Sequence, residues 1–192
     1  MAIGTLATVV YALFRDVVLL PRRRAKLELR FDRTGTDQVI IGTADGVEAA
    51  SVRVRVANGR GKDTADEVVV VVTELVLVDD SATTPIGLPL TWSGTHPPLT
   101  MASVHPGSQR HVDLLHVDWP AQNDAPLRLD VSPKPRDSRD ALEPGNYEIS
   151  IEVRARNADA TRYVVPVSWD GAWPEKDAIW DHVRVEPPRP TS

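Results

Sequence analysis

The chain has no cysteine, which removes disulfide frameworks, thiolate metal sites and cysteine nucleophiles from consideration. Phenylalanine and methionine occur only twice each. Several chemical signatures are missing as well. No Gly-x-Ser-x-Gly elbow occurs, and no glycine-rich loop leads into a helix to cradle phosphate. Asp137-Ser138-Arg139-Asp140 lacks the alternating oxygen ligands and the glycine of a calcium loop. Catalysis and resident cofactors are therefore not expected. A basic stripe long enough for nucleic acid is also missing, because the net charge of −5 conceals an asymmetry. Residues 1–30 sum to +4 and the rest of the chain to −9.

What the chain does have is valine, punctuated by 16 prolines and 11 glycines. Many short valine-rich runs separated by turn residues predict an all-β sandwich. Leu142-Glu143-Pro144-Gly145-Asn146-Tyr147 is the most informative stretch. It leads into a strand with Tyr147, Ile149, Ile151 and Val153 on one face and Glu148, Ser150, Glu152 and Arg154 on the other. A tyrosine just after such a corner predicts a buried ring whose hydroxyl bonds to nearby backbone, the tyrosine corner of immunoglobulin-like sandwiches. Further strands are predicted at Leu27–Phe31, Val39–Ile41, Val52–Val56, Val68–Val78, Leu127–Val131, Tyr163–Trp169 and Val183–Val185. Val68–Val72 is a continuous apolar run, as in a central strand covered on both faces or one crossing between sheets. Asn157–Thr161 reads as a hairpin loop. Pro166 predicts an edge strand or a bulge, since it donates no hydrogen bond.

From Ala2 to Phe14 there is no charged residue, and Pro21 ends the segment before Arg22-Arg23-Arg24. A helix over residues 1–20 would be roughly 28 Å long, near the thickness of a hydrocarbon core. Three placements fit it: a single-pass anchor, an amphipathic partner helix with its seam at Ile3, Leu6, Val10, Leu13, Val17 and Leu20, and a helix packed on the sandwich. The anchor is preferred. It makes the membrane a partner through residues 1–24, and the arginines then place the following domain in the cytoplasm. A soluble cytoplasmic protein is the alternative. The division expected is residues 1–20 as the apolar helix, 21–26 as a basic linker, 27–186 as the sandwich and 187–192 as a loose tail.

Val52-Arg53-Val54-Arg55-Val56-Ala57-Asn58-Gly59, then Ala65-Asp66-Glu67-Val68 after a polar gap, resembles the cell-adhesion-related domain of bacteria. Val104–Leu114 and Leu142–Val153 are similar to later turns and strands of the same modules. The resemblance covers about residues 50–156 in disjoint pieces, and it implies an immunoglobulin-like fold without naming a ligand. The stretch from Ile86 to Met101 and the tail after Trp169 depart from the compact module.

Among candidate sites, His111 and His116 are five apart on a predicted strand and so should face opposite ways, while His111 and Asp113 share a face. Two mixed ligands do not make a zinc site. Trp169, Trp173 and Trp180 cluster in sequence. They form either a binding surface for a sugar ring or a protein partner, or a plug closing one end of the sandwich. The function expected is a non-catalytic, membrane-tethered interaction module; the alternative is an exported carbohydrate-binding or cell-surface module on an uncleaved signal anchor.

Overall fold

The computed structural model describes residues 8, 10–12, 14, 23–33, 35–42, 48–119, 126–172 and 179–191. Within them the alternating segments form two seven-stranded antiparallel sheets. The first runs β1 (Leu27–Arg30), β3 (Glu48–Asn58), β8 (Gln109–Trp119), β9 (Leu127–Leu129), β10 (Ala141–Leu142). In it, β2 (Gln38–Gly42) also pairs with β3, and β6 (Thr91–Trp92) with β8. The second runs β13 (Val183–Val185), β12 (Ala158–Trp169), β11 (Gly145–Ala155), β4 (Ala65–Leu77), β5 (Ala82–Pro89). Here β14 (Arg189–Thr191) also pairs with β12, and β7 (Ala102–Val104) with β4. A four-residue helix, α1 (Ile179–His182), precedes β13.

One core lies between the sheets. Val52, Val54 and Val56 of β3 and Val112 and Leu114 of β8 meet Val68, Val70 and Val72 of β4 and Ile149, Ile151 and Val153 of β11. Each such side chain contributes roughly 1.5–3 kcal/mol on burial, which makes this alternation the main source of stability. Tyr147 joins the core, and its hydroxyl donates to the Glu143 carbonyl at 2.8 Å, as the corner motif predicts.

Several expectations need correction. Val68–Val72 is central in its sheet, but only Val68, Val70 and Val72 are buried; Val69 and Val71 are half-buried on the outer face. The hairpin between β11 and β12 turns on Arg156-Asn157 alone. The Asn157 amide accepts from the Asp66 N–H at 3.0 Å and donates to the Thr64 carbonyl at 2.7 Å, so the turn is held against the start of β4. Pro166 does not lie on an edge strand, since β12 is paired on both sides. Its carbonyl accepts from Glu186 N–H, so its missing donor points at the gap between β13 and β14, where no ladder bond is lost. The tail is not loose either: Arg189–Thr191 pairs with Arg162–Val164.

The basic linker also proves to be part of the sandwich from Arg23 onward. The Arg23 carbonyl accepts from Asp63 N–H at 2.6 Å, Lys26 N–H donates to Asn58 Oδ1 at 3.2 Å, and Ala25 is buried. Residues 8, 10–12 and 14 are helical, and Val10, Tyr11 and Phe14 expose 57%, 64% and 50% of their surface. The rest of the expected helix over residues 1–20 lies outside the described residues. Among those residues, no helix is long and apolar enough to cross a membrane.

The segment from Ile86 to Met101 stitches the two layers together. Leu90 donates its N–H to the Val70 carbonyl of the second sheet and bridges Val131 beside the first. The chain then enters β6 of the first sheet and returns to the second at β7.

Candidate functional site: a polar cleft at the end of β11, β12 and β13

β12 ends at Trp169, and the chain reverses through Asp170-Gly171 with Gly171 at φ +82°. Glycine is needed there twice over. The conformation disfavours a side chain, and a Cβ would lie 2.5 Å from Pro144 Cγ. The turn therefore packs on the proline of the tyrosine corner. Asp170 Oδ1 accepts from Ala172 N–H at 2.9 Å, and Oδ2 lies 2.7 Å from His182 Nδ1 at the end of α1. These bonds, the Ala172 amide first, hold the Asp170 carboxyl below its ordinary value.

Beside this pair opens a cleft of about 360 Å³ lined by Asn146, Ser168, Asp181 and Arg184. Asn146, Ser168 and Arg184 form one cross-strand row over β11, β12 and β13. The Asn146 amide donates to Asp79 at 3.2 Å, which brings the Val78–Ser81 turn alongside. A second cleft of about 420 Å³ shares this row and continues past Glu148 and Pro166 to Arg189. The result is an open groove of amide, hydroxyl, carboxylate and guanidinium groups, suited to hydrogen-bonding a polar segment. Serine, histidine and aspartate are all present, but among the described residues no hydrogen bond joins Ser168 to His182. The Asp170–His182 pair instead fixes the turn.

Of the three tryptophans, Trp169 is a core residue with 6% of its surface exposed. Trp180 is half-buried and packs against the core. Trp173 lies outside the described residues. Trp169 thus lines the floor of the cleft, with most of its ring in the core.

The histidines of β8 depart from expectation. The β3–β8 register shifts between Val52 and Arg53, so that Val52 pairs Leu115 while Arg53 pairs Asp113. This bulge inverts the alternation, and His116, opposite Ser51, shares the outer face with His111, opposite Arg55. His111 and Asp113 share that face, and His111 pairs with Asp37, a fully buried carboxylate from the loop before β2. Asp37 Oδ1 lies 3.1 Å from His111 Nε2, and Oδ2 accepts from Arg55 Nε at 3.0 Å and from Asp32 N–H at 2.7 Å. Further along, Thr91 donates to Asp130 at 3.0 Å and Ser93 to Asp113 at 2.6 Å. Among the described residues, no group of three or more His, Asp or Glu side chains is arranged to hold a metal.

Burial, and secondarily the charge of Asp130, pushes the Asp113 carboxyl above its ordinary value. A carboxyl raised in the folded state supplies stability below its unfolded pKa that is lost as pH rises through the folded one. Asp113→Asn keeps an acceptor for Ser93 and removes a half-buried charge. It is expected to raise the Tm at pH 7 by about 3 °C and to leave it unchanged at pH 3, as read by calorimetry.

The sequence did not point to Asp37, the Asp170–His182 pair or the Asn146–Ser168–Arg184 row, because each depends on long-range pairing. A glycine next to an aspartate just after a strand was the one local trace of the cleft. No known family, curated protein or solved structure matches the chain.

Proposed function

We propose that this protein is a non-catalytic, immunoglobulin-like interaction module, tethered to a membrane by its N-terminal segment and facing the cytoplasm. Tyr147 and its bond to Glu143 support the finer fold, and with it the resemblance to adhesion-related modules. The observation that carries the functional reading is the polarity of the sandwich. Arg23–Lys26 lead in beside Asn58 and Asp63, next to the start of β4, whereas the cleft lies at the other end of β4, beside the Val78–Ser81 turn. β4 has 13 residues, so the two ends stand roughly 40 Å apart. Three exposed apolar side chains on the helical residues and the arginines that follow supply the tether. The groove is thereby held clear of the headgroups, where a partner has access.

The chain with residues 1–20 is expected to stay with membranes through an alkaline carbonate wash and to be released by their deletion. A reporter fused after Ser192 is expected to be active only in the cytoplasm. Release of the intact chain by carbonate would sink the tether, and an exported reporter would favour a cell-surface module instead.

A further inference from the structure

We propose that the edge of β2 that no other described strand covers takes the same strand of a second copy of this chain, antiparallel and centred on Ile40. The other edges carry devices that discourage strand addition. On the second sheet, β5 holds Pro85, Pro89 and Gly87 at φ +66°, β14 holds Pro190, and β13 exposes Arg184. On the first sheet, β1 alternates with Glu28 and Arg30, which pair at 2.6 Å, while β6 and β10 have two residues each. β7 has only three.

β2 has none of these features. Gln38-Val39-Ile40-Ile41-Gly42 contains no proline and no charge, and it pairs with β3 from Gln38↔Val52 to Gly42↔Glu48 without a bulge. Among the described residues β3 is its one strand partner. The segment is also suited to meeting itself. An antiparallel pairing about Ile40 sets Val39 against Ile41 and Gln38 against Gly42, so no like charges oppose. Val39 lies opposite Ser51 and Gln38 opposite the core residue Val52, which places Val39 on the outer face.

Five residue pairs bury well under the roughly 1,200–2,000 Å² of a standard stable interface, so the pairing is weak in dilute solution. It gains strength where chains are concentrated on a surface, and in that respect the proposal rests on the membrane-tether reading.

The absence of cysteine makes the test direct. The full chain with Lys134→Cys, an exposed position, carries a single donor or acceptor dye and is reconstituted into phosphatidylcholine vesicles. Energy transfer between copies is expected, together with slowed amide exchange over residues 38–42. Val39→Lys, a charge on the outer face of the strand, is expected to reduce the paired fraction at least tenfold. The exchange measurement needs no variant and decides the matter if Val39→Lys unfolds. A chain that floats with vesicles but shows no transfer, or transfer indifferent to Val39→Lys and without protection at 38–42, overturns the pairing and leaves the tether intact. A chain that fails to float yet associates at high concentration, in a Val39-dependent way, overturns the tether and leaves the pairing.

Discussion

Asn58→Leu is expected to lower the unfolding free energy by about 3 kcal/mol or more, read as a drop in urea midpoint at unchanged slope. The side chain is buried and ties three separate segments. Its amide nitrogen donates to the Asp63 carbonyl at 2.8 Å and to the Val104 carbonyl at 3.1 Å, and its oxygen accepts from Lys26 N–H at 3.2 Å. Leucine keeps the branched shape but is bulkier, so the loss combines overpacking with a polar term: two carbonyls and one amide lose the Asn58 side chain as a partner. Each buried orphan costs on the order of 1–3 kcal/mol, a large share of the ~5–15 kcal/mol that stabilises a domain. Asn58→Asp keeps the acceptor but sets a carboxylate against two carbonyls, and should be at least as damaging. If both variants unfolded within about 0.5 kcal/mol of the parent, the clamp would be incidental.

Asp37→Ala is expected to cost about 3 kcal/mol, because it removes the carboxylate nearest the Arg55 guanidinium, leaving that of Asp32 at 3.8 Å, and takes the Asp37 acceptor from the Asp32 amide. The same change has a spectroscopic signature. Burial, followed by the charge of Arg53, holds the His111 imidazole below its ordinary value, while Asp37 opposes that shift. Removing Asp37 should therefore move the His111 titration further down, which imidazole proton shifts report directly. The sign for stability follows. A histidine depressed in the folded state takes up protons on unfolding, so stability falls as pH drops through the unfolded imidazole value near 6.5 toward the folded one. His111→Gln should flatten that slope, and a titration unmoved by Asp37→Ala would show that the carboxylate does not govern the ring.

How much of this was legible beforehand depends on the range of the interaction. Val52-Arg53-Val54-Arg55-Val56 and Tyr147-Glu148-Ile149-Ser150-Ile151 state their faces locally, because side chains alternate along a strand whatever its neighbours do. Asn58-Gly59 and the Pro144-Gly145 corner likewise mark turns from local conformational preference. The bulge opposite Val52 was invisible: nothing in Arg110–Val117 says that one extra residue must be accommodated, and that residue reverses the facing of His116. The strand character of Arg189–Thr191 was hidden because Pro190 sits opposite Tyr163, on a strand whose partner alone makes it one. Asp37 lay in a polar stretch with no periodicity, and only the fold brings Arg55 and His111 to it.

Leu90 bears on how the molecule comes apart. Between β3 and β8, neighbours in one sheet, the chain spends β4 and β5 in the other, and Leu90 is bonded to Val70 while bridging Val131. Neither layer is thus a continuous piece of chain, and neither can melt while its counterpart keeps its hydrogen bonds. Unfolding should be all-or-none, with the slowest amides of both layers reporting a single opening free energy. The same interleaving obliges distant segments to meet before either layer closes, so folding should be slow for a chain of this length.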